Sequence, residues 1–325
     1  MGKVLILTDG KAGHENQSKA FARALGCEFE LVEVHFKSKL AKALSYLLDR
    51  VGVRTTALLS GEAESFPLQN KDSASPLSAV IGTGSGTFYA AKAVAKKMGV
   101  KCGVVLYPRG YDIKSFDCVL APAFDRPKAA ANVIEIPANL VANDEAFYEK
   151  GVAAFRERRG QHAYDSKRGA VAVIVGGPNK CSTMTPEWMK TQLDAIFHSA
   201  VQPSTSSLQP EFWVTTSRRT PPEVESVVDG YPWDYKLLYS KDHFNPIPAF
   251  VKLAKKLYVT AESTGMLSES CTFGTAEVVA LDNLKPGPHK FRRFVEDLRT
   301  GGYVDGNRKV DLSAQFARAK ALMGL

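Results

Sequence analysis

The chain has 325 residues, which at roughly 150 residues per domain favours two domains. Hydrophobic residues make up 45% and charged residues 23%, an ordinary globular composition that excludes collagen-like and disordered classes. The net charge of +8 is compatible with nucleotide, phospholipid or nucleic-acid partners and selects none of them.

Short apolar runs repeatedly break at Gly-rich turns and lead into helical patterns. Residues 4–8 read as a buried strand, followed by the turn Asp9-Gly10-Lys11-Ala12-Gly13 and a helix through Gln17, Ala20, Phe21 and Leu25. A second strand over 79–82 breaks at Thr83-Gly84-Ser85-Gly86 and feeds a helix over 89–98. Strands over 102–106 and 118–121 follow at short spacing. Charged residues 156–169, with little apolar periodicity, read as a linker.

The pattern then restarts. A strand over 170–175 ends in Gly176-Gly177-Pro178-Asn179, and a helix over 186–197 opens after Thr185. Next come a strand over 212–216, a helix over 221–228 with Thr220 as its N-cap, and a strand over 257–261. A helix over 265–273 begins in Ser263-Thr264-Gly265, and a strand over 278–281 closes the second sheet. The tail carries helices over 289–299 and 312–323. This alternation predicts an α/β chain of two Rossmann-like domains, 1–158 and 159–325, with C-terminal helices packing back toward the first.

Five cysteines, an odd count without a C-x-x-C pair, argue against a disulfide framework or a structural zinc site. The apolar start meets Asp9 too soon for a signal peptide, and Ile6 stands where a myristoylation signal needs Ser or Thr. No stretch approaches the roughly 18 apolar residues that span a bilayer, so the expected compartment is the cytoplasm.

In open parallel sheets, ligands bind beyond the carboxyl ends of the strands. Four turns of this chain fall there, each rich in Gly, Ser or Thr: those at Gly10 and Gly13, at Gly84, at Gly176 and Gly177, and at Ser263–Gly265. Small residues let a phosphate approach the backbone, and the first-turn N–H groups of a helix attract negative charge. Each turn alone is also what any βα connection needs; four across two domains predict a cleft that takes a phosphorylated ligand.

The same turns resemble the glycine loops of MurG-type, GT-B-fold glycosyltransferases: Gly10-Lys11-Ala12-Gly13-His14, Gly82-Thr83-Gly84-Ser85-Gly86 and Gly176-Gly177-Pro178-Asn179. The stretch from Val259 to Glu269, ending at Gly274-Thr275, resembles their donor segment, with Ala276 in place of the usual proline. A narrower resemblance covers nearly the whole chain. Thr8-Asp9-Gly10-Lys11-Ala12-Gly13-His14-Glu15-Asn16-Gln17, Pro122–Pro127, Val214–Pro221 and Ser263-Thr264-Gly265-Met266-Leu267-Ser268-Glu269 are similar to the ELM family, named for a plant mitochondrial-fission factor and including many bacterial members of unassigned activity.

These resemblances imply a GT-B-like fold with a nucleotide-sugar, expected to be UDP-linked, on the C-terminal domain and an acceptor on the N-terminal one. By that likeness Glu269 bonds the ribose, and Ser263, Thr264, Gly265 and Met266, with Ser268 in the same segment, offer hydroxyls and N–H groups to the diphosphate. The competing reading of Glu269 is a solvated helix residue. The chain has no D-x-D pair, which fits a metal-independent site with no cofactor. Arg218 and Arg219 follow a strand of the second domain and could grip a diphosphate bidentately, or face solvent; Lys180 is a weaker case of the same kind. An inverting transfer needs a base, and Asp9, His14, Glu15 and Asp125 are candidates. His14 titrates nearest neutral pH and is preferred, with Asp9 next, against a structural role in the loop.

Residues 36–54 set Lys37, Lys39, Lys42, Arg50 and Arg54 beside leucines, a basic amphipathic helix that either lies on an anionic membrane at its inner face or simply covers the first sheet. No nucleic-acid reader motif appears. The leading expectation is a glycosyltransferase with a lipid or envelope acceptor. Its rivals are a UDP-sugar epimerase and a non-catalytic scaffold that recruits a partner.

Overall fold

The computed structural model describes residues 2–61, 77–160, 164–201 and 209–325. In chain order the first elements are β1 (Lys3–Thr8), α1 (Ala12–Ala24), β2 (Glu28–Phe36), α2 (Lys39–Arg50), β3 (Leu59–Gly61), β4 (Leu77–Thr83), α3 (Phe88–Met98), β5 (Lys101–Val105), β6 (Cys118–Pro122), β7 (Val133–Ile136) and α4 (Glu145–Arg159). They are followed by β8 (Ala170–Ile174), α5 (Pro186–Val201), β9 (Glu211–Thr215), α6 (Pro222–Asp229), β10 (Tyr235–Leu237), α7 (Ile247–Leu253) and β11 (Lys256–Thr260). The last are α8 (Thr264–Thr272), β12 (Glu277–Leu281), α9 (Lys290–Thr300) and α10 (Ser313–Met323).

The chain divides into two compact units, Met1–Ala142 with Asp311–Leu325, and Asn143–Val310. The first is built on a seven-stranded sheet of order β3-β2-β1-β4-β5-β6-β7, parallel except for β3, which runs antiparallel to β2. The run Val4-Leu5-Ile6-Leu7 is buried on both faces, as a central parallel strand requires. In register, Leu5 pairs with Glu30 on one side and Val80 on the other. Helix α10 packs against β5, β6 and β7, so the end of the chain completes the first sheet.

The second unit is built on a five-stranded, wholly parallel sheet of order β10-β9-β8-β11-β12. Its core joins Val171, Val173 and Val214 to Met189, Leu193 and Ile196 of α5. In both sheets the chain direction across the sheet reverses beside the first strand of the unit: between β1 and β4, and between β8 and β11. Those are the crevices where open α/β sheets take ligands.

Two expectations are corrected here. The boundary expected at 158/159 falls at 142/143, because α4, part of whose sequence reads as a charged linker, buries Tyr148 and Phe155 and packs on α7 within the second unit. Residues 161–163 of that stretch, His162 among them, lie outside the described residues. Thr220 does not cap α6; Pro221 holds that position, and Thr220 turns back to the loop after β8.

Candidate functional site

At the crevice of the first sheet, the loop after β1 and the loop after β4 meet. His14 Nδ1 lies 3.0 and 3.1 Å from the two oxygens of Asp9, and Lys11 Nζ lies 2.6 Å from Asp9 Oδ2. A carboxylate can only accept, so Nδ1 carries a proton; Nε2 has no hydrogen-bond partner among the described residues. Burial pushes the Asp9 carboxyl up, but Lys11 and His14 outweigh it and hold the group below its ordinary range.

The glycines of the second loop make room for this pair. Gly84, at φ +82°, lies against the His14 ring, which a Cβ there would overlap. A Cβ on Gly86 would stand 2.8 Å from Asp9 Cβ. Ser18 of α1 and Thr83 of β4 share a buried hydrogen bond of 2.6 Å that fixes the two loops together. Gly84→Ala is therefore expected to displace His14 and to cost about 1–3 kcal/mol through backbone strain. Chemical denaturation measures the cost, and an unmoved His14 ring resonance in NMR would contradict the assignment. Of the other two candidate bases, Glu15 pairs with Lys19 at 2.6 Å, and Asp125 lies after β6, where its backbone carbonyl accepts from Arg109.

At the crevice of the second sheet, three loops are tied around a buried carboxylate that the sequence reading passed over. Glu262 Oε1 accepts from Gly177 N at 2.8 Å and from Thr260 Oγ1 at 3.1 Å, while Oε2 accepts from Asn283 Nδ2 at 2.7 Å. Gly176 N donates to Thr260 Oγ1 at 2.8 Å. Thr220 Oγ1, in the loop after β9, donates to Gly176 O at 2.6 Å and accepts from Ser217 N. Burial raises the Glu262 carboxyl above its ordinary value, against the pull of these hydrogen bonds. The amides of Gly176 and Gly177 are thus already committed, and the glycines serve a close approach: a Cβ on Gly176 would overlap Glu262 Oε1, and one on Gly177 the Arg219 carbonyl. The only sign of Glu262 in the sequence is a carboxylate directly following the apolar strand pattern.

Helix α8 starts beside this knot. Ser263 is its N-cap residue yet makes no side-chain cap, and the N–H groups of Thr264, Gly265 and Met266 have no hydrogen-bond acceptor among the described residues. A Cβ on Gly265 would meet nothing within 4 Å, so the helix end is open. Ser268 is turned inward, its Oγ donating to Thr264 O at 2.7 Å. Helix α6 differs: it opens with Pro221 and Pro222, which lack N–H groups, and with Glu223 and Glu225 in its first turn. An anion is favoured at α8 and disfavoured at α6.

Arg218 is exposed and lines a cavity of about 530 Å³ with Ser217, Tyr239, Ser240 and Lys241. The backbone carbonyl of Lys180 accepts from Nζ of Lys285, which follows β12. Glu269, one turn and more into α8, is half-buried and accepts from Tyr148 OH of α4 at 2.8 Å. The Tyr148 ring in turn stacks on Phe273 at 4.3 Å. Burial raises the carboxyl of Glu269. Among the described residues, no group of three or more His, Cys, Asp or Glu side chains is arranged to hold a metal ion.

The family model described as mitochondrial fission ELM1 matches residues 12–317. The chain belongs to the mitochondrial fission ELM1 family. Among curated proteins no match is found. Among solved structures, UDP-GlcNAc 2-epimerase from Neisseria meningitidis bound to UDP-GlcNAc superposes with a TM-score of 0.51 at 10% identity, covering 100% of this chain and 98% of that one. MurG from Acinetobacter baumannii gives 0.48 at 13% identity, covering 99% and 91%. The S. aureus MnaA–UDP complex gives 0.47 at 13%, covering 99% and 87%. With the two sheets, parallel except for β3, the likeness to the Neisseria epimerase gives the ELM1-family chain a GT-B-like fold of two Rossmann-like domains.

Among the described residues, no helix of this family member is long and apolar enough to cross a membrane.

Proposed function

We propose that this ELM1-family protein binds a nucleotide-sugar through its second unit and transfers the sugar, without a metal, to a hydroxyl of a lipid or envelope acceptor. The observation that carries the reading is the open, uncapped N-terminus of α8 at the switch point of the second sheet. Three N–H groups that are unpaired among the described residues and the hydroxyls of Ser263 and Thr264 suit a diphosphate. As the glycosyl bond breaks, negative charge grows on the leaving diphosphate, and fixed N–H dipoles stabilise it where it develops. Arg218 is free to add a charge-assisted contact from the neighbouring cavity.

The first unit supplies the acid–base chemistry. Nε2 of His14 takes the proton of the acceptor hydroxyl while Asp9 holds Nδ1–H and stabilises the imidazolium that forms. Replacing His14 by alanine removes a term typically worth about 10²–10⁴ in rate.

The experiment is a thermal-shift screen of the whole chain against UDP, GDP, ADP, CMP and dTDP and their sugars. A ligand at ~100 times its Kd adds about 2.7 kcal/mol of stability, a shift of several degrees. Gly265→Asp sets a carboxylate in open space at the helix end and should abolish the shift while leaving the fold intact. Glu269→Ala should weaken binding by about 1–3 kcal/mol if ribose displaces Tyr148 from that carboxylate. A flat response to every nucleotide rejects the transferase reading.

Two observations favour a second reading, a non-catalytic scaffold. Glu269 already has a partner in Tyr148, and Ala276 stands where the donor segment of MurG-type enzymes has proline. Unchanged nucleotide affinity in Glu269→Ala, or no affinity at all, supports it.

A further inference from the structure

Helix α2 has two faces with different fates. Its inner face is fully used: Ala41 is buried, Ser45 Oγ lies 3.0 Å from Tyr111 OH, Tyr46 stacks on Tyr111 at 4.4 Å, and Asp49 is buried against Lys92. Its outer face carries Leu40, Leu44, Leu47 and Val51, which are 78%, 40%, 59% and 72% exposed, and Val53 follows at 44%. Their spacings of four, three and four place the first four in one row along the helix. Four large aliphatic side chains in a solvent-facing row are not needed to hold the helix, since the opposite face does that.

Within residues 36–54 the charges beside the row are basic. Lys39 and Arg50 are exposed on the helix itself, Lys37 is exposed just before it, and Lys42 reaches Ser85 Oγ at 3.0 Å. The sole carboxylate between residues 36 and 54 is Asp49, whose charge is spent inside on Lys92. On the neighbouring strand β2, the exposed Glu33 is paired with His35 at 3.0 Å.

We infer that the outer face of α2 docks on an anionic lipid bilayer, lying in the plane of the surface with Leu40, Leu44, Leu47 and Val51 among the upper acyl chains and the lysines and arginine at the headgroups. A twelve-residue helix, roughly 18 Å long, is too short to cross and of suitable length to lie flat. Lysine stems that border an aliphatic row can extend toward phosphates while the row stays in hydrocarbon. Self-pairing of two α2 helices is disfavoured, because it would bring Lys39 and Arg50 of both copies together with no carboxylate to offset them. A protein groove is a poorer fit as well: interface centres are enriched in aromatic residues and depleted in lysine, the reverse of this patch. The inference stands apart from the nucleotide reading. It also gives that reading a setting, since Ser85, the residue Lys42 touches, lies between the two glycines that pack on His14 and Asp9.

The test is flotation of the full chain with vesicles of phosphatidylcholine alone and of phosphatidylcholine mixed with phosphatidylglycerol. The native chain should float with the anionic vesicles only, and binding should fall as salt rises. Leu40→Asp/Leu47→Asp should lower flotation roughly tenfold or more with the far-UV circular dichroism and Tm unchanged, as expected for exposed side chains. Lys39→Glu/Arg50→Glu, which leaves the row intact, should lose the preference for anionic lipid. No flotation of the native chain, flotation indifferent to both variants, or a dimer in solution that Leu40→Asp/Leu47→Asp dissolves without any vesicle binding would each overturn the inference. Because no nucleotide enters this assay, its outcome is independent of the thermal-shift screen.

Discussion

Asp49→Ala is expected to destabilise the protein by roughly 3–5 kcal/mol, the usual cost of leaving one half of a buried ion pair alone. Lys92 Nζ lies 2.7 and 2.9 Å from the two oxygens of Asp49, and both side chains are wholly buried. The same ammonium donates to Asp112 O at 2.8 Å and stands 4.1 Å above the centre of the Phe116 ring. Burial lowers the pKa of Lys92, and Asp49 is what opposes that shift. The alanine variant also orphans Asp112 N–H, which donates to Asp49 Oδ2 at 2.7 Å. This one pair therefore ties together α2, α3 and the loop after β5. Asp49→Leu combined with Lys92→Met removes both charges and should recover most of the loss. The check is chemical denaturation of the two variants beside the native chain. A double variant as unstable as the single one would show that the hydrogen bond to the Asp112 amide, rather than the stranded ammonium, sets the cost.

That pair also shows what the sequence did and did not make legible. Lys39, Lys42 and Arg50 are visible as a basic helix, and the structure leaves the first and last of them exposed. Nothing local distinguishes Asp49 or Lys92 from the solvated charges around them. Their burial comes from a pairing across 43 residues of sequence, which no local period encodes. The central strands were readable because a parallel strand buried on both faces is a continuous apolar run, as in Val4-Leu5-Ile6-Leu7 and Ala170-Val171-Ala172-Val173-Ile174. Strand β2, with alternating glutamates in Glu-Phe-Glu-Leu-Val-Glu-Val-His-Phe, gives no such run and lies next to the edge of its sheet. Helix α4 was lost for a related reason: its apolar contacts, Tyr148 and Phe155, are seven residues apart amid charges.

The candidate site divides in the same way. Asp9 and His14 lie five residues apart on one strand-turn-helix, so their meeting is local and could be anticipated. The role of Gly84 as a seat for His14 could not, because it depends on two loops separated by β2, α2 and β3. The turns at Gly176 and Ser263 are strand-end loops in sequence and structure alike, but in sequence their glycines read as phosphate contacts. Because Gly176 and Gly177 have spent their amides on Thr260 and Glu262, the free N–H groups of these two turns are, among the described residues, those of α8. The sequence shows which turns are small. Only the fold shows which of their N–H groups remain unpaired.

Glu262 is where the second large effect is expected. Glu262→Ala leaves Gly177 N–H, the Thr260 hydroxyl and the Asn283 amide without their acceptor in a buried place, and each orphaned donor costs about 1–3 kcal/mol. A loss of several kcal/mol follows, and with it the tie between the loops after β8 and β11 and the position of the α8 end. Glu262→Gln should behave otherwise. Asn283 Oδ1 is buried with no partner among the described residues, so the Asn283 amide can turn and accept from the new side-chain NH2 while Gly177 N–H keeps its acceptor. The two substitutions also differ in their dependence on pH. Because the folded state raises the carboxyl above its ordinary 4.5, the folded protein holds that proton more tightly than the unfolded chain. The resulting stability is complete below 4.5 and is lost as pH rises through the higher folded value, beyond which the curve is flat. Relative to the native protein, Glu262→Gln should therefore gain stability as pH climbs from 4.5 toward neutrality. Unfolding free energies of the two proteins, measured side by side across that range, give the difference directly. A constant difference would mean that the hydrogen bonds to Glu262 cancel its desolvation, and a falling one would reverse the assigned direction of the shift.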